Sequence, residues 1–283
     1  MNTALLRLPH KSQPLLDLEP PYNPEQLMHA CNFILCDLDM EIRITGVRTV
    51  SPGFCARKHV NLRTYVYRLA VLKPEFSLYN HSCKENLPLI EHNRAYALNS
   101  PFDVSLFRDA AKEFLGEHRM DSFMGAFAKT ATPRAIAASR FRYINHVGIE
   151  PGRCLFDTEL EPRARLFDFY DVTVISRSFV YRQIRKMITM LVAVAQKKAE
   201  TKDIRWLLDN PNTENMGKYD FPLAPAHGLY LKEVHYIPLH FNNPEPYVEH
   251  TWDKNEYESE DDEEIEDDIA SDMKENNKEV SKN

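Results

Sequence analysis

The chain has 283 residues, 43% apolar and 27% charged, the composition of a folded protein with room for one large domain or two smaller ones. Its formal charge of −7, taken over the whole chain, argues against a nucleic-acid partner, because phosphate binding needs a basic surface. Its eight glycines form no Gly-x-Gly and no Gly-x-x-x-x-Gly-Lys, so neither glycine-rich phosphate cradle is present and no nucleotide cofactor is expected.

Residues 1–16 carry Arg7 and Lys11 and no acid before Asp17. Two readings stand for them, a mitochondrial targeting segment or a strand followed by a loop. Asn23-Pro24-Glu25 places a cap before a proline at the first helical position and predicts a helix over 24–35. Alternation over 41–45 and 47–50 predicts a strand, closed by the turn Ser51-Pro52-Gly53. Residues 63–71 are rich in β-branched and aromatic types and predict a second strand. Residues 74–100 read as a long loop. A helix is predicted over 103–115, with Val104, Leu106, Phe107, Ala110, Ala111, Phe114 and Leu115 on one stripe and Gly116 ending it. Strands near 139–149 and 165–176, a long helix over 178–199, a short helix near 202–209 and a strand near 228–236 complete an α+β pattern with mostly antiparallel strands.

The charge is unevenly placed. Residues 249–283 hold fifteen acids and four bases, a net of −11, and residues 1–248 hold twenty-seven acids and thirty-one bases, a net of +4. The acidic tail has too little apolar surface to offset its ordering entropy and is expected to be disordered. The body is mildly basic, so the whole-chain charge does not exclude RNA. Cys31, Cys36, Cys55, Cys83 and Cys154 are scattered and odd in number. They read as reduced, small apolar side chains of an intracellular protein rather than zinc ligands. No apolar run reaches membrane-spanning length.

Generic catalytic signatures are missing: there is no Gly-x-Ser-x-Gly and no His-Glu-x-x-His. Asp168 and Asp171 lie three apart on a predicted strand, so they face opposite sides and cannot act on one atom. Two basic–aromatic clusters remain. In the first, Phe54 to Arg68, Tyr65 and Tyr67 share one face while Thr64, Val66 and Arg68 take the other. An aromatic beside cations can stack on an unpaired base; composition alone favours an ordinary strand with one core face. In the second, Arg182, Arg185 and Lys186 lie three and four residues apart on a helix. They read either as a solvated face or with Arg185 turned inward toward an anion.

Both clusters, in this order, resemble the TruA-type tRNA pseudouridine synthases. Phe54-Cys-Ala-Arg57 is similar to the family's Phe-His-Ala-Arg, and Tyr65-Val-Tyr67-Arg68 to its Tyr-Arg-Tyr. Residues 32–42 resemble Asn-x-x-Leu-Pro-x-Asp-Ile with extra residues and no proline. Phe114-Leu-Gly-Glu117 with Asp121-Ser-Phe123 resembles Leu-x-Gly-x-His-Asp-Phe-x-Ser-Phe. Phe179-Val-Tyr-x-x-Ile-Arg185 resembles Phe-Leu-x-x-Met-Val-Arg, and residues 224–231 resemble the ending Ala-Pro-Ala-x-Gly-Leu-x-Leu. Each match is weak alone; six in order over 30–236 are specific.

The resemblance implies the pseudouridine synthase fold, with two α/β subdomains and a mostly antiparallel mixed sheet. It implies isomerisation of a uridine in tRNA with no metal or organic cofactor. It assigns Tyr65 to the tyrosine that stacks on the target uracil, Arg185 to the arginine that pairs with the nucleophilic Asp, and Arg57 to the substrate-binding set. It implies tRNA as partner and admits a homodimer; with no spanning apolar run, no membrane is expected. The subgroup called tRNA pseudouridine synthase-like is the nearest pattern, and its members are often mitochondrial.

The departures are informative. The family nucleophile sits in Gly-Arg-Thr-Asp-Ala-Gly-Val-His-Ala, and this sequence has no Arg-Thr-Asp; Arg48-Thr49 and Arg63-Thr64 are followed by Val50 and Tyr65. Residues 1–6 resemble the strand that follows that loop. The expectation is an incomplete N-terminal subdomain over 1–57, a TruA-like domain over 58–241 and a tail over 242–283. Such a chain is inactive as given, either as part of a synthase or as an RNA-binding pseudoenzyme. It should expose apolar side chains between 27 and 50 and be prone to aggregation. Ala131 stands where an arginine often precedes Thr-Pro, and Thr189 replaces a helix glycine.

Overall fold

A computed structural model of the chain describes residues 23–79, 83–125, 140–156 and 158–247. The expectations for the N-terminal strand or targeting segment, the acidic tail and the Ala131 region lie outside them. The chain forms two compact units, one built on Leu62–Val234 and the other on residues 2–61 with 235–249, of which 23–61 and 235–247 are described.

The larger unit is built on a sheet of six strands, mostly antiparallel, and belongs to the α+β class. The strands are β1 (Val60–Leu72), β2 (Tyr96–Leu98), β3 (Gly116–Arg119), β4 (Phe141–Pro151), β5 (Phe167–Ser176) and β6 (Leu229–Tyr236). They run in the order β2-β1-β5-β4-β3, with β6 also paired to β1. β1 and β5 are paired from Arg63–Ser176 to Leu72–Phe167, and β2 runs parallel to β1 at Leu69–Val71. A bulge between Ile144 and His146 shifts the β4–β5 register.

Four helices of at least two turns accompany the strands: α1 (Pro24–Asp37), α2 (Val104–Ala111), α3 (Gln183–Ala195) and α4 (Thr201–Asp209). Asp103 caps α2, its carboxylate accepting from the Ser105 and Leu106 amides. α3 is buried at every position but Lys186. A helix buried on all sides belongs inside a domain, and α3 packs with α2, β1, β4 and β5 in one core that includes Tyr67, Phe107, Phe114, Ile149 and Val174.

Several boundaries differ from the sequence expectation, each for a physical reason. The helix expected over 178–199 starts only at Gln183, because Arg182 takes a left-handed backbone with φ 58°. The Gln183 carboxamide then accepts from the Val180 amide, at 2.9 Å, so 178–182 form a turn. The helix expected to 115 ends at Ala111 and tightens into a 3₁₀ turn to Phe114; Leu115, expected on the buried stripe, is exposed. The expected loop 74–100 holds a 3₁₀ turn at Pro74–Tyr79, a helical turn at Cys83–Asn86, another 3₁₀ turn at Leu89–Glu91, and β2. Elements this short carry no periodicity to read.

The smaller unit has a different basis. Phe54 is its buried centre, stacked on His59 at 5.3 Å and packed on Tyr236 and Phe241 at 5.6 and 5.4 Å. Tyr236 donates its hydroxyl to the Ala56 carbonyl at 2.7 Å. The strand expected over 41–50 is absent from the described residues; that stretch joins no ladder. Asn32 of α1 takes the place of a neighbouring strand at one position. Its amide donates to the Ile44 carbonyl at 2.9 Å and its carbonyl accepts from the Ile44 amide at 2.8 Å.

Candidate functional site

β1 sorts its side chains as its period of two requires. Tyr65 and Tyr67 point into the main core, and Arg68 points to the other side. Tyr67 is fully buried and donates its hydroxyl to the Pro225 carbonyl at 2.6 Å. A Cβ at Gly228 would sit 2.9 Å from the Tyr67 ring, so only glycine fits there. Tyr65 is half-buried, and its ring meets Phe179 edge-on with centroids 5.3 Å apart. Phe179 sits in the turn that Gln183 and Arg182 create before α3. Sequence features that shorten the helix therefore also place the aromatic that braces Tyr65.

Arg185 is turned inward. It is only 4% exposed, and its Nε donates to the Ala224 carbonyl at 2.7 Å. Thr189, one turn on, donates to the Arg185 carbonyl at 3.0 Å and accepts from the Ala224 amide at 2.8 Å. Ala224 is thus held at both its N–H and its C=O by α3. Thr189, a departure from the family pattern, is accommodated by these two bonds. The solvated-face reading of Arg182, Arg185 and Lys186 is overturned: Arg182 precedes the helix, Arg185 is buried, and Lys186 is half-buried.

Arg68 is not placed to hold phosphate either. Its guanidinium binds both carboxylate oxygens of the fully buried Glu91, at 2.9 and 2.8 Å. Burial alone would depress the Arg68 pKa, but the hydrogen bonds and charge of Glu91 outweigh it and hold it above its ordinary value. Asp168 and Asp171 are separated as expected, Asp168 near Lys73 at 3.9 Å and Asp171 near Arg68 at 3.5 Å. Of the three predicted site residues, Tyr65 and Arg185 belong to the larger unit. Arg57 lies exposed in the turn before β1, within the smaller unit.

The sequence reading missed a charged cluster behind the Phe114–Phe123 segment. Asp121 is buried and is bonded by Arg119 and Arg140. Burial works against its ionisation, yet the hydrogen bonds and charges of the two arginines hold its carboxyl below the ordinary range. Arg140 and Asp121 are nineteen residues apart in sequence, so no local spacing signalled the pair. Next to it lies a cavity of about 670 Å³ bordered by Met124, Arg140, Lys186, Thr189, Tyr219 and Phe221. Among the described residues no three His, Cys, Asp or Glu side chains gather as a metal ion would require, and no helix is long and apolar enough to cross a membrane.

The core that holds Tyr65, Arg185 and the Ala224–Gly228 segment can be compared with known proteins. A family model described as tRNA pseudouridine synthase matches residues 110–237. The tRNA pseudouridine synthase-like 1 of Xenopus laevis is 31% identical over 243 residues, 84% of this chain and 74% of that protein. The chain belongs to the tRNA pseudouridine synthase family. The human tRNA pseudouridine synthase-like 1 is also 31% identical, over 77% of this chain and 65% of the human protein, just under two thirds of its length. The tRNA pseudouridine synthase A of Thermus thermophilus is 28% identical over 78% of this chain and 72% of its own. The six-stranded, mostly antiparallel sheet is consistent with the fold of that family.

Proposed function

We propose that this chain serves in converting uridine to pseudouridine in tRNA. In that isomerisation the N1–C1′ bond of the uridine breaks, the base turns, C5–C1′ forms, a proton leaves C5 and one is gained at N1. In this reading Tyr65 provides the ring against which the uracil stacks after it leaves the helix stack. Its edge-on contact with Phe179 fixes that ring in advance. Arg185 pairs with the nucleophilic carboxylate, keeping it ionised and aimed. Arg57 contributes to the substrate-binding set.

The observation that carries the reading is the inward, backbone-anchored Arg185 on a buried helix, a residue that by resemblance stands for the arginine of the family motif. The 283 residues contain no Arg-Thr-Asp, so in this reading they supply grip and orientation and do not turn over by themselves. The test measures tRNA binding and pseudouridine formation together. Expected is binding that weakens roughly tenfold in Tyr65→Ala, with no pseudouridine formed by this chain alone. Absence of tRNA binding sinks the reading, and pseudouridine formed by the chain alone sinks its inactivity.

A second reading, a non-catalytic tRNA-binding protein, is favoured by the same missing motif. Mapping pseudouridine in tRNA from cells with and without the gene separates the two: a lost modification supports the enzyme, and an unchanged map supports the binder.

A further inference from the structure

The cavity beside α3 has the parts of a nucleotide site that the roles of Tyr65 and Arg185 leave unused. Its volume of about 670 Å³ is ample for one nucleotide, and Tyr219 and Phe221 form an aromatic wall, ring centroids 6.1 Å apart. Lys186 is the one residue of α3 that is not buried, and it lines this cavity. Its amine donates to the Met124 and Ser122 carbonyls.

No carboxylate lies within 4 Å of that amine among the described residues. The charged groups around it are known. Arg140 lines the cavity but is committed to Asp121, Glu214 lines it without reaching the amine, and Arg182 lies one turn away with like charge. Burial first, and the charge of Arg182 second, lower the Lys186 pKa to about 8. A half-buried ammonium held by two neutral carbonyls gains most from a diffusible anion, which would restore its charge.

We propose that this cavity is a second RNA subsite, taking a nucleotide other than the target uridine, its phosphate on Lys186 and its base against Tyr219 and Phe221. The inference rests on the tRNA reading above. It adds that the segment 221–225 serves two places at once: Phe221 and Leu223 border the cavity, while Ala224 accepts from Arg185. Occupancy of the subsite and placement of Arg185 then depend on one stretch of backbone.

The direct test is NMR of the chain labelled at lysine ε-carbons, titrated in pH with and without uridine 5′-monophosphate. Expected is a Lys186 signal that titrates near pH 8 alone and at higher pH with the mononucleotide. A titration unmoved by saturating mononucleotide overturns the proposal. Inorganic phosphate run in parallel must bind more weakly; equal binding removes the base from the site and overturns the nucleotide assignment.

A second test uses tRNA. Lys186→Met should weaken binding about tenfold and lower the slope of log affinity against log salt by about one, while Lys186→Arg retains both. A structural role for the amine would change stability and leave the salt slope alone. Measured binding with an unchanged slope in Lys186→Met overturns this inference and spares the functional reading. No tRNA binding at all overturns that reading, and the mononucleotide titration still decides the subsite.

Discussion

The two units of this chain solve the same problem differently. The larger one surrounds α3, buried at all but one position, with sheet and helix on several sides. The smaller one contains α1, fourteen residues long with none buried. Phe33, Ile34 and Leu38 of α1 and its C-cap, then Met40 and Ile42, lie exposed. Its order comes from one aromatic cluster around Phe54 and from the Asn32–Ile44 clamp. The lesson is that helix propensity and capping can form an element, here through Asn23 and Pro24, without giving it a core. Mutations should therefore be felt very unequally in the two units.

The largest expected loss comes from the core of the larger unit. Phe114 is fully buried and meets Phe123 edge-on at 5.0 Å. Phe114→Ala removes a large apolar volume from a closed site and should cost about 3–5 kcal/mol in urea unfolding. A loss below about 1 kcal/mol would mean that this core is far looser than its burial implies.

Next is the Asp121 cluster, which makes stability depend on acid. The folded carboxyl has a lowered pKa, so its contribution is complete above the unfolded value near 4 and is lost as pH falls through the folded value. Stability should decline as pH falls below about 4. Asp121→Asn should remove that part of the slope and cost on the order of 1–3 kcal/mol at pH 7. An unchanged acid limb in the variant would show that Asp121 is not its source.

How far the sequence foretells this division can be read from particular residues. The strongly periodic or β-branched stretches were legible: the bodies of α2 and α3, β1 and β5 appear where expected. The family membership was legible too, because motif order survives in one dimension. What was not legible depends on contacts distant in sequence. The stretch 41–50 alternates like a strand, but a strand is defined by its neighbour, and an Asn side chain supplies only one position of it. Arg68 had no partner to be read from the sequence, because Glu91 is twenty-three residues away. The late start of α3 is set by a left-handed Arg182 that no propensity scale anticipates.

The Asn32 clamp gives a smaller, local prediction. Asn32→Ala removes two hydrogen bonds at a half-exposed position and should cost about 1 kcal/mol. The sharper readout is amide exchange at Ile44, which should speed up in the variant while the amides of β5 stay protected. Equal acceleration in both places would mean that the two units open together.

The smallest effect on stability, and the most revealing contrast, should come from α1. Phe33 is 74% exposed and Leu38 64%, so replacing both with serine removes almost no buried area. The change in unfolding free energy should stay within about 0.5 kcal/mol, against several for Phe114→Ala. Solution behaviour should change more than stability does, because contiguous exposed apolar side chains favour association. Sedimentation velocity of the double variant should show less concentration-dependent association than the unaltered chain. If the double variant instead destabilises the protein by as much as Phe114→Ala, then α1 is covered in solution, and the smaller unit has a core of the same kind as the larger one.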